Sequence, residues 1–76
     1  MKTMTRQDIQ IDLEEGWEPY AYQCPSGYVV EVGFTKKNGN GGLSGFSYMA
    51  CEHRQRELKS LLSRIQIICP FHIKRP

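Results

Sequence analysis

Apolar and polar positions along the chain change period several times. In "MTRQDIQIDLEEGW" the helix signals gather: Thr5 suits an N-cap, Asp8 three residues on completes an acidic capping box, and Met4 and Ile9 occupy the hydrophobic-staple positions. Gly16 suits a left-handed stop after which Trp17 folds back onto Ile11. Ile9, Ile11 and Leu13 alternate with polar residues, which is strand grammar, but the caps favour a helix over about residues 6–15. "EPYAYQC" and "GYVVEVGFTKK" read as strands joined by the turn "PSG". Tyr28, Val30, Val32 and Phe34 share one face of the second strand and form the stronger core set; Val29, Glu31, Gly33 and Thr35 share the other. "LSGFSYMA" supplies a third strand with Phe46 and Tyr48 inward. Leu58, Leu61, Leu62, Ile65, Ile68 and Cys69 then follow the 3-and-4 spacing of an amphipathic helix, placed at about 51–68 and ended by Pro70.

These elements predict a small α+β domain. A short N-terminal helix precedes a three-stranded antiparallel sheet, and a C-terminal amphipathic helix packs on that sheet. Residues 1–76 form one domain with a core over about 5–69; residues 70–76 form a tail, with a short edge strand as its one candidate element. A chain of 76 residues lies near the lower limit for independent folding and builds one thin core.

The glycine-rich stretch "KKNGNGGLSG" raises the question of a phosphate cradle. Phosphate loops set their glycines at the mouth of a helix, where free N–H groups and the positive helix end face the anion. Here the glycines lie between two strands, and their spacing matches neither the P-loop nor the dinucleotide fingerprint. Asn-Gly favours a hairpin turn, so residues 38–42 are expected to be a hairpin loop.

Charge changes the picture. The net charge is +2, unevenly placed. Residues 1–31 hold six acids and two bases, net −4, whereas residues 32–76 hold two acids and eight bases, net +6. A basic face that attracts an anionic partner follows, with Lys36, Lys37, Arg54, Arg56, Lys59 and Arg64 as its candidate residues. No apolar h-region follows Lys2 and no apolar run is long enough to span a bilayer. With three cysteines, an odd number, a reducing, cytoplasmic setting and no membrane partner are expected.

Cys51, His53, Cys69 and His72 have zinc-ligand chemistry, but Cys51 and Cys69 bracket the expected helix, roughly 27 Å apart at 1.5 Å per residue. Zinc ligands must converge within about 2.3 Å of one ion. No metal, cofactor or disulfide between those cysteines is expected. His53 and Glu57 fall one helical turn apart and read as a surface pair. No nucleophile, base and orienting group occur in a recognisable order, so a non-catalytic protein is expected.

Two functional classes remain. One is a module that binds nucleic acid or a nucleic-acid-handling complex through the basic loop and helix face. In layout, residues 17–68 are similar to the small sheet-plus-helix DNA-binding domains of integrase N-termini and plant transcription factors. Those domains present arginine and aromatic groups on the open sheet face. Here Ala21, Gln23, Val29, Glu31 and Thr35 are expected there, which favours phosphate contacts over base readout. The other class is an inhibitor or adaptor that covers a protein surface, similar in size and charge layout to compact phage-encoded inhibitors, with Trp17, Tyr20, Tyr22 or Tyr48 as anchors.

Overall fold

The computed structural model describes residues 4–49 and 54–76. Its elements run α1 (Arg6–Glu14), β1 (Glu18–Gln23), β2 (Val29–Lys37), β3 (Leu43–Met49) and α2 (Gln55–Ile68). The strands form one antiparallel sheet in the order β1-β2-β3. The α+β layout expected from the sequence is the one observed.

Both ends of α1 are built by local hydrogen bonds. The Thr5 side chain accepts from the Asp8 N–H at 3.1 Å, and the Asp8 carboxylate accepts from the Thr5 N–H at 2.9 Å. This reciprocal box satisfies two of the donors that a helix start leaves open. Met4 and Ile9, the staple pair, are both buried. At the other end the Trp17 N–H donates to the Asp12 carbonyl and the Gly16 N–H to the Leu13 carbonyl. That is a Schellman motif, and it needs the positive φ of 96° that Gly16 adopts. Trp17 packs edge-on against Phe46 of β3, with ring centroids 5.2 Å apart.

The core lies between one sheet face and the two helices. Ala21, Val29, Val32 and Phe34 from the sheet meet Ile9 of α1 and Leu58, Leu61, Leu62 and Ile65 of α2. Four residues of the stripe that the sequence predicts on α2 are thus buried, while Ile68 and Cys69 are half-buried. Complete burial of such a side chain is worth about 1.5–3 kcal/mol, so these few residues dominate the stability of so small a domain.

One part of the expected core set requires correction. In the pairing of β1 with β2, Tyr22 faces Glu31 and Gln23 faces Val29, so Val30 has no partner and forms a bulge. The extra residue resets the alternation. Val29 is fully buried, while Tyr28 is 36% exposed and Val30 is only half-buried. The inward set is Val29, Val32 and Phe34, and neither Tyr28 nor Val30 takes the place expected of it.

Two glutamines tie α2 to extended chain. The Gln55 side-chain amide accepts from the Val29 N–H and donates to the Val29 carbonyl, each at 2.9 Å. Gln66 does the same for Phe71, at 3.0 and 2.9 Å. In both cases the carboxamide reproduces the donor-acceptor pair of a neighbouring strand. The tail thereby held returns to β1. Lys74 pairs with Tyr22 in a single parallel bridge, with the Gln23 N–H donating to the Lys74 carbonyl and the Lys74 N–H to the Ala21 carbonyl, both at 2.9 Å.

Candidate binding faces

The expected basic residues are divided among several places. Gln55 anchors the start of α2 at Val29, so Arg54 sits by the first residue of β2. Lys36 and Lys37 lie at the other end of that strand, roughly 23 Å away at 3.3 Å per residue. The lysines also part from each other, because successive strand residues point to opposite faces. Lys36 turns to the helix side, its Nζ 5.8 Å from the centre of the Trp17 ring. Lys37, exposed, turns to the other side. Glu15 and Glu18 line the same concavity as the two lysines, so local acids offset their charge.

On α2, Arg54, Arg56 and Lys59 are exposed. Arg64 is half-buried, and its guanidinium donates to the Met4 carbonyl and, at 3.3 Å, to that of Ser60. Arg64 fastens the N-terminal segment to α2. The six residues therefore form no single patch: the hairpin end carries two, the exposed helix surface carries three, and Arg64 holds two backbone carbonyls.

The loop between the lysines and β3 is a turn. Asn38–Gly42 closes through the Asn38 N–H to the Gly42 carbonyl at 2.8 Å and the Gly41 N–H to the Asn38 carbonyl at 3.0 Å. Gly41 has φ 86°, which a residue with a Cβ resists. The Asn40 side chain accepts from the Gly42 N–H at 3.0 Å, and the Ser44 hydroxyl donates to Asn38 Oδ1 at 3.0 Å. The backbone groups that would hold a phosphate are in part spent on closing the hairpin.

The sheet face turned away from the helices differs most from expectation. Ala21 and Val29, expected there, are buried on the helix side. Alternation from Ala21 places Tyr20 and Tyr22 on the open face with Glu31 and Thr35, and these four residues and Lys74 line one shallow concavity. The tyrosine rings meet edge-on, with centroids 6.1 Å apart, and Lys74 Nζ lies 6.0 Å from the Tyr22 ring centre. The Tyr20 hydroxyl donates to the Glu31 carboxylate. Burial, and next that hydrogen bond, push the Tyr20 phenol above its ordinary pKa, and a hydrogen bond from Ser47 opposes them. Glu18 and Lys37 alternate to the same side, so this face is aromatic, with acids and bases interspersed. The signal in the sequence was the pair Tyr20 and Tyr22 flanking Ala21, which fixes which side of β1 is small and apolar.

A second concavity, of about 240 Å³, opens between α1 and β3. It is lined by Met4, Ile11, Phe46 and Tyr48, with Asp8 and Asp12 beside them. Burial, then the charges of Glu15 and Asp8, raise the Asp12 pKa above its ordinary value.

Cys24 and Cys69 are free thiols. Among the described residues no three of His, Cys, Asp and Glu converge as metal ligands would; Cys51 and His53, two of the four residues with zinc-ligand chemistry, lie outside the described residues, as does the His53 side of the surface pair with Glu57. Among the described residues no helix is long and apolar enough to cross a membrane.

No protein-family model matches the chain, and comparison with curated proteins and with solved structures gives no significant match.

Proposed function

We propose that this protein is a small non-catalytic module that binds single-stranded nucleic acid, alone or within a nucleoprotein, on its open sheet face. The observation that carries this reading is the pair Tyr20 and Tyr22 on a face that neither α1 nor α2 covers, with the Lys74 ammonium close to the Tyr22 ring. Aromatic rings on an open sheet serve as stacking platforms for unpaired bases, worth about 1–3 kcal/mol per base, and neighbouring cations hold the backbone. Lys37 and Lys74 are the phosphate-contacting groups. Arg54, Arg56 and Lys59, on the helical side, add long-range attraction but do not touch the stacked bases.

Glu18 and Glu31 lie among the stacking residues, which makes the mode one of stacking first and charge second. Two phosphate contacts imply a log–log salt slope of about −1.4, at roughly 0.7 per contact for a single strand. The test is fluorescence anisotropy of a labelled twelve-residue oligothymidylate across a salt series. Binding with that shallow slope is expected. It should weaken at least fivefold in Tyr22→Leu, which keeps an apolar side chain but removes the π face. It should strengthen in Glu31→Gln, which removes a repelled charge. Equal affinity of wild type and Tyr22→Leu would exclude stacking on this face.

A further inference from the structure

The two edges of the sheet are treated differently. The β1 edge is met by the tail at Lys74. The β3 edge has no neighbour among the described residues, and it carries none of the usual protection. No charged residue and no proline occurs anywhere from Asn38 to Ala50. Open edges are normally blunted by such residues, because their unpaired backbone groups otherwise recruit another strand.

The side chains next to that edge are also left uncovered. Phe46 stacks on Phe34, with centroids 5.3 Å apart, and meets Trp17 and Tyr48 edge-on. It nevertheless remains 36% exposed, and Ile11, across the same groove on α1, 45% exposed. The helix wall above them carries Asp8 and Asp12, one turn apart. An unpaired edge, an apolar floor and an acidic wall thus lie side by side.

We propose that the β3 edge and the α1–β3 groove form a docking site for an extended, basic segment of a partner protein, which adds to the sheet as a fourth strand. Its backbone pairs with β3. An apolar side chain on its helix-facing side enters the space between Ile11 and Phe46, and a neighbouring Lys or Arg meets Asp12. Strand addition of this kind takes affinity from main-chain hydrogen bonds and selectivity from the pockets for alternate side chains. Charge decides between this occupant and a second copy of the chain. Two copies joined edge to edge about an axis normal to the sheet would set the acidic walls of both α1 helices against each other, and like charges in register repel. A basic strand relieves the same crowding, which in the free protein adds to burial in disfavouring the ionised form of Asp12.

The site lies on a different edge and face from the tyrosines, so the two readings fail separately. The test uses the whole chain and a labelled synthetic peptide of four Lys-Val repeats. Its controls are a Glu-Val peptide and a Lys-Val peptide N-methylated at alternate residues. Saturable binding of the Lys-Val peptide is expected, with backbone amide shifts concentrated at residues 43–49. Affinity should fall at least tenfold for each control peptide and at least fivefold in Asp12→Lys. Tyr22→Leu should leave it unchanged. The wild-type peptide comparisons decide the matter even where Asp12→Lys folds poorly. Equal affinity for the Glu-Val or N-methylated peptide, or no saturable binding up to millimolar peptide, would overturn the proposal. So would a concentration-dependent dimer, seen by sedimentation, whose amide shifts fall on the same residues.

Discussion

Tyr20 lies across Gly33, its partner on the neighbouring strand, so closely that a Cβ on Gly33 would come within 2.6 Å of the Tyr20 hydroxyl oxygen and equally close to the Phe46 carbonyl. An aromatic ring covering a glycine on the adjacent strand pins register and fills the gap that the missing side chain leaves. It also fixes the ring on which the proposed stacking depends. Gly33→Ala forces the ring and, more expensively, the β3 backbone to move. A loss of about 1–3 kcal/mol is expected. Gly39→Ala, where nothing stands within 4 Å, should change stability by less than about 0.5 kcal/mol. Urea melts of the two variants check this; equal stability would mean that the ring does not rest on Gly33.

The bulge at Val30 makes a similar contrast between neighbours. Threonine matches valine in shape but adds a hydroxyl. At the fully buried Val29 that hydroxyl would lack a partner, at a cost of about 1–3 kcal/mol. Val30→Thr, at a half-buried position, should stay within about 0.5 kcal/mol of wild type. If Val30→Thr were the more costly, strict alternation without a bulge would be the better description of β2.

The bulge also explains what the sequence could and could not reveal. Capping and staple residues name α1 outright, because their geometry is local: Thr5, Asp8 and Gly16 each act within one turn of themselves. The stripe Leu58, Leu61, Leu62 and Ile65 likewise marks the buried face of α2. Strand faces are less legible, because one extra residue inverts the pattern and only the partner strand records it. Tyr28 and Val30 were therefore misplaced, and the open face was expected to present Ala21 and Val29 in place of two tyrosines. The glutamine contacts, Gln55 to Val29 and Gln66 to Phe71, span tertiary distances that no local pattern announces. Nor does clustering of lysines along the chain predict clustering in space, since Lys36 and Lys37 leave opposite faces of one strand.

Asp12 gives a pH signature. Folding raises its pKa, so the folded chain holds that proton more tightly than the unfolded chain. The contribution to stability is then greatest below the ordinary aspartate value of about 3.9 and is lost as pH rises through the folded value. Asp12→Asn should accordingly have a higher Tm than wild type at pH 7. The difference should close as pH falls below about 3.9. Thermal melts from pH 3 to 7 test it; a difference that does not depend on pH would show that the Asp12 charge is not what opposes folding.

The nucleic-acid surface proposed above is the open sheet face, not the basic surface of α2. Titration of the isotope-labelled protein with an unlabelled twelve-residue oligothymidylate, followed by amide and side-chain shifts, tests it most directly. The largest changes are expected on Tyr20, Tyr22, Thr35, Lys37 and Lys74, with ring protons of Tyr22 shifted upfield by stacking, and Arg56→Ala with Lys59→Ala should lower affinity less than threefold. Changes concentrated on Arg54, Arg56 and Lys59, with the Tyr22 ring unmoved, would contradict it.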